Sequence, residues 1–137
     1  MRIFKEVTQY FDWPNDPDKA KIKIKYLNEG ETQDLIAKSR RLEFEVSDKG
    51  EQVARFVPDE TILKNKRNCA RIVAWENFFD DEGNKLECTD KNKIWVAQQD
   101  GATKILEDFY EKLDGIVKKE KDKEEKNSRT SQGGSAK

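Results

Sequence analysis

The stretch "ATKILEDFYEKLDGIVKK" constrains the fold more than any other part of the chain. Ile105, Leu106, Phe109, Leu113, Ile116 and Val117 recur at spacings of three and four, which gathers them on one side of an α-helix with Lys and Glu outside. Such a stripe must lie against another apolar surface, and the first half of the chain offers strands to build one. "KIKIKYL", residues 21–27, alternates strictly: Ile22, Ile24 and Tyr26 share one face and Lys21, Lys23 and Lys25 the other. That is the period of a half-buried strand, whose lysine face is solvated and discourages foreign strands from pairing at a sheet edge.

"RLEFEVSDKGEQVARFV" predicts a hairpin, because Leu42, Phe44 and Val46 alternate with Glu43 and Glu45, "SDKGE" supplies the turn, and Pro58 closes the returning strand. A first strand is predicted within "RIFKEVTQYF", a loop at "DWPNDPDKA", and one helical turn around residues 33–38. From Asp59, "DETILKNKRNCARIVAWENFF" has an N-cap aspartate and a helical apolar stripe through Ile62, Cys69, Ala70, Ile72 and Val73. Its uninterrupted length favours one helix over the alternative, a strand through "ARIVAW". A further helix capped by Thr89 or Asp90 runs through "NKIWVAQQ" until Gly101 interrupts it.

These elements predict an α+β fold in which a small antiparallel sheet from the N-terminal half packs against C-terminal helices. One domain covers residues 1–117, since 137 residues leave room for a single modest core. Residues 118–137 hold 7 basic and 4 acidic groups and no large apolar residue, which predicts a charged, Ser/Gly-rich flexible tail whose first half can extend the helix. The body is mildly acidic and the whole chain has a net charge of -1, so nothing global recruits nucleic acid or an anionic membrane. No apolar run approaches a membrane span, and no signal peptide is visible, so the expected location is the cytoplasm.

The chain contains no histidine, which excludes histidine-based triads and histidine-ligated metals. Cys69 and Cys88 are too few for a disulfide framework and lack zinc-site spacing. The acidic turn in "WENFFDDEGNKLEC" fails as a calcium loop. With Gly83 at the invariant glycine, Phe78 falls where the first ligating aspartate must stand and Thr89 where the bidentate glutamate must stand. It reads instead as a tight joint between two helices, with Asp80 and Asp81 solvated and Gly83 in the left-handed region. "NDPD" reads as an Asx turn, and "KNKRNCAR" as a solvated helix face without the interleaved aromatics of a nucleic-acid surface. Accordingly no catalytic residue, metal or cofactor is predicted, and the protein is expected not to be an enzyme. Trp75 and Trp95 flank the turn, and with Phe78 and Phe79 they are the candidate partner-binding residues, against the plainer reading of each as core.

The order "PNDPDKAKIKIKYLNEGE", a hairpin, "CARIVAWENFFDDEGNKLECTDKN" and a terminal amphipathic helix resembles small tail assembly chaperone proteins of long-tailed bacteriophages and prophages, over roughly residues 10–117. The resemblance implies a non-enzymatic role in the bacterial host's cytoplasm. The partner would be the tape measure protein, a long, aggregation-prone helical chain kept soluble during tail assembly, or other tail proteins; weak self-association is a separate expectation that the resemblance does not supply. The alternative it leaves open is a structural virion component, a minor tail or head-tail connector protein.

Overall fold

The computed structural model describes the backbone of residues 6–135 and the side chains of residues 6–125. The fold is α+β. In chain order it comprises β1 (Thr8–Asp12), β2 (Lys21–Lys25), α1 (Glu29–Lys38), β3 (Arg40–Val46), β4 (Gln52–Pro58), α2 (Glu60–Arg71), β5 (Ile72–Glu76), α3 (Asp90–Ala97) and α4 (Ala102–Ser135). Residues 1–5, the start of the predicted first strand, lie outside the described part.

β1, β2 and β5 form an antiparallel sheet with β2 in the middle. The strict alternation of β2 does what its period requires, since Ile22 and Ile24 are fully buried while the lysine face looks outward. Against them lie Leu106, Phe109, Tyr110, Leu113 and Val117 of α4, with Ala97 of α3 and Ile72 of β5 completing the core. Ile116, the outermost member of the predicted stripe, stays 42% exposed.

One boundary differs from the sequence reading. The helix starting at Glu60 ends at Arg71, and the chain continues directly as β5, so residues 60–76 hold both a helix and a strand. The β-branched pair Ile72 and Val73 favours the extended form. A bulge explains why the strand was hidden: Ile24 faces Ile72 and Ile22 faces Trp75, so the partner strand advances two residues while β5 advances three. Val73 is the extra residue, and it lets Ile72 and Trp75 share the core face despite odd spacing.

The acidic joint therefore connects a strand to a helix, not two helices. Asp80 Oδ1 accepts from the backbone N–H groups of Glu82 and Asn84, at 2.9 Å each, and Gly83 sits at φ 82°. The Asp80 carboxylate is thus the turn's own hydrogen-bond acceptor. Thr89 caps α3, accepting from Asn92 N–H at 3.2 Å. The predicted helical turn near residue 33 is a full helix, α1, closed by a reciprocal capping box between Asn28 and Glu31. α4 passes Lys118 without a break, and Lys121 reaches back to the Tyr26 hydroxyl at 3.3 Å. The flexible Ser/Gly-rich end predicted beyond it concerns residues whose side chains lie outside those described.

Candidate docking surface

β3 and β4 form a separate two-stranded sheet. Their turn is tied by Ser47 N–H to the Glu51 carbonyl at 2.7 Å and by Gly50 N–H to the Ser47 carbonyl at 2.8 Å, with Gly50 at φ 79°. The register places Leu42 opposite Phe56, Phe44 opposite Ala54 and Val46 opposite Gln52, so these six side chains share one face. The other face carries Glu43 opposite Arg55 and Glu45 opposite Val53, and its charges pair locally. Arg55 meets Glu45 at 2.9 Å and Arg41 meets Glu43 at 2.6 Å.

The apolar face faces water. Leu42 is 48% exposed, Phe44 61%, Val46 75% and Phe56 67%, and no hairpin residue belongs to the core cluster. The hairpin is fastened at its base instead. Asp59 N–H donates to the Ser39 carbonyl at 2.9 Å, and Arg41 reaches Asp59, whose carboxylate also caps α2 through Ile62 N–H at 3.0 Å. That backbone hydrogen bond is the main reason the Asp59 carboxyl is held below its ordinary pKa, with Arg41 reinforcing it.

The aromatic residues singled out in the sequence divide into two pairs. Trp75 stacks on Phe78 with centroids 4.8 Å apart, rather than on Trp95, and its indole N–H donates to the Leu86 carbonyl at 2.7 Å. Phe78 meets the edge of Trp13, which meets Phe109, which stacks on Phe11 at 5.0 Å. Trp75 and Phe78 thus belong to an aromatic layer flanking the core. Phe79 and Trp95 stay 40% and 44% exposed. The structure adds Leu42, Phe44, Val46 and Phe56 to the exposed large apolar groups. Their period-2 pattern was plain in the sequence, but a pattern names a face without saying what covers it.

The basic cluster of α2 is only partly solvated: Lys66 is exposed, Lys64 and Arg67 are half-buried against α4, and Arg71 is buried. Arg67 pairs with Glu107, Lys64 donates to the Thr103 hydroxyl, and Arg71, 5% exposed, binds Asp114. Cys69 and Cys88 are free thiols, each with its pKa raised by burial, the opposite of an activated nucleophile. Among the described residues, no three of the chain's Cys, Asp and Glu side chains converge as a metal-binding group, and no helix is long and apolar enough to cross a membrane. The depression between α1 and α4, lined by Tyr26, Gln33, Asp114 and Lys121 among others, gathers charges of both signs. No protein-family model, curated protein or solved structure matches the chain.

Proposed function

We propose that this protein is a non-enzymatic adaptor or assembly chaperone that takes an apolar helical segment of another protein onto the open face of the β3–β4 hairpin. The observation that carries this reading is a contiguous face of Leu42, Phe44, Val46 and Phe56 left in water by a fold whose core closes elsewhere. Contiguous apolar patches rimmed by polar residues mark interaction sites. A two-stranded sheet is marginal alone and gains most from a layer laid across it. An amphipathic helix supplies such a layer by presenting residues at spacings of three and four.

The resemblance to phage tail assembly chaperones supports the tape measure protein as that helical partner, acting in the cytoplasm of the bacterial host. Phe79 and Trp95 are secondary contacts in this reading. Co-expression tests it: the matching tape measure protein should move from the insoluble to the soluble fraction. Phe44→Ser and Phe56→Ser should abolish that rescue while leaving the melting temperature unchanged. Undiminished rescue by the double variant would overturn the assignment of the face. Stoichiometric recovery in purified virions without any rescue would replace the chaperone with a structural component.

A further inference from the structure

We infer that in the free protein the hairpin's apolar face is covered by a second copy of the same chain, the two hairpins packing face to face about a twofold axis near Phe44 and Ala54. The inference rests on reading that face as a protein-binding surface, and it names what occupies the face before a partner arrives.

Three observations favour a second copy. First, the face is self-complementary by composition: between Arg40 and the turn it carries Leu42, Phe44, Val46, Gln52, Ala54 and Phe56 and no charge. Two such faces meet without stranding an ion, as an isologous interface requires. Secondly, the flanking charges match in the antiparallel arrangement. At the base of the hairpin Arg40 lies in the row of Leu42, Phe44 and Val46, while Arg41 on the other face is already paired with Glu43 and Asp59, and the turn holds Asp48 and Glu51 against Lys49. A twofold axis at Phe44 runs the strands of the two copies antiparallel, so the base of one hairpin, with Arg40, lies toward the turn of the other, which begins just beyond Val46 and carries Asp48. Thirdly, the area is adequate for a weak dimer. At the exposures given above, the four large side chains offer about 400 Å² per copy, so two copies with their rims bury about 1,000 Å², the lower end of specific interfaces. Stacked sheets sit about 10 Å apart, the separation that interdigitating Phe and Leu side chains fill. The expected dissociation constant is on the order of 10 µM, so that a partner helix can displace the second copy.

Sedimentation equilibrium of the full chain tests this across the concentration range around that value. The wild type should pass from monomer to dimer. Phe44→Glu should weaken association by at least about 30-fold, with an unchanged far-ultraviolet spectrum. In a chain with Cys69 and Cys88 replaced by alanine, Ala54→Cys should cross-link two copies with a short bis-maleimide, whose spacer bridges the gap between facing sheets that a direct disulfide cannot, whereas Arg55→Cys, on the charged face, should not. A wild type that stays monomeric, a dimer that survives Phe44→Glu, or equal cross-linking at both positions would overturn the inference. A monomer that still rescues its partner would remove the dimer and leave the adaptor reading standing. A dimer without rescue would do the reverse.

Discussion

Arg71 grips Asp114 with two parallel hydrogen bonds, Nη2 to Oδ1 at 2.7 Å and Nη1 to Oδ2 at 3.2 Å. Its Nε donates to the Lys25 carbonyl at 3.0 Å, and its guanidinium lies 4.4 Å from the centroid of the Tyr110 ring. One side chain thus joins the end of α2, the end of β2 and the middle of α4. Arg71→Met should cost about 3 kcal/mol, because it removes a buried cation that hydrogen-bonds through each of its three nitrogens and leaves Asp114 and the Lys25 carbonyl without it. Asp114 is half exposed, so water can replace part of what it gives, and Asp114→Asn should cost no more than about 1 kcal/mol. Urea unfolding of the two variants checks the ratio, and equal losses would show that the pair is not buried from the Arg71 side.

Tyr110 connects the same region to Asn68, its hydroxyl donating to Asn68 Oδ1 at 2.7 Å with both residues buried. Burial raises the phenol's pKa despite the cations Arg71 and Arg67 nearby. A phenol with a raised folded-state pKa contributes stability that is complete below the unfolded value of about 10 and is lost as pH rises from there toward the folded value. The unfolding midpoint of the wild type should therefore fall more steeply above about pH 10 than that of Tyr110→Phe. At neutral pH the same variant should lose roughly 1 to 2 kcal/mol, since Asn68 keeps a buried acceptor without a donor.

Asp59 gives an acid-side counterpart. Its folded-state pKa is lowered, first by the Ile62 N–H and then by Arg41, so its contribution is present above the ordinary aspartate range and disappears as pH falls through the lowered value. Asp59→Asn retains a capping oxygen but loses the titration. The difference in stability between the two proteins should accordingly shrink on acidification, and a constant difference down to pH values below the folded pKa would contradict the cap's ionic character.

The aromatic residues should separate by alanine substitution. Trp75→Ala and Phe78→Ala dismantle the layer that runs through Trp13 to Phe109 and should each cost about 3 kcal/mol, at the lower end for large aromatics because both are only half-buried. Phe79→Ala and Trp95→Ala should stay within about 1 kcal/mol of wild type. Thermal unfolding ranks the four, and a severe loss at Trp95 would mean that it packs more tightly than its exposure implies.

Truncation after Lys119 removes Lys121 and its two contacts with Tyr26, the hydroxyl hydrogen bond and a cation–π approach of 5.1 Å, but spares Val117, the last residue of the core. The loss should be below about 1 kcal/mol. A larger drop in melting temperature would show that the distal part of α4 packs on the body.

Strands and helices with clean periods were legible from the sequence. β2 and α4 announce both their type and their buried face, since Ile22, Ile24, Leu106 and Leu113 sit where the period puts them. β5 did not, because Ile72 and Trp75 reach one face only through a bulge, and a bulge erases the alternation by which a strand is recognised. Arg71 belongs by its neighbours to a solvated basic run, since nothing local reveals that Asp114, 43 positions later, arrives to meet it. The candidate surface was legible as a pattern and missed as a surface. Leu42, Phe44 and Phe56 alternate just as core residues do, and only the arrangement of the other elements shows that, among the described residues, none is laid over them.

The hydrogen bond from Asp59 N–H to the Ser39 carbonyl bears on how this chain can change over time. Because the backbone leaves and re-enters the body at one point, residues 40–58 are geometrically an insertion between α1 and α2, contributing nothing to the core. A short glycine-containing link between residues 39 and 59 could replace them while the body still folds. The hairpin is therefore free to vary in length, sequence and partner under selection that the scaffold does not feel, and related chains should diverge fastest there.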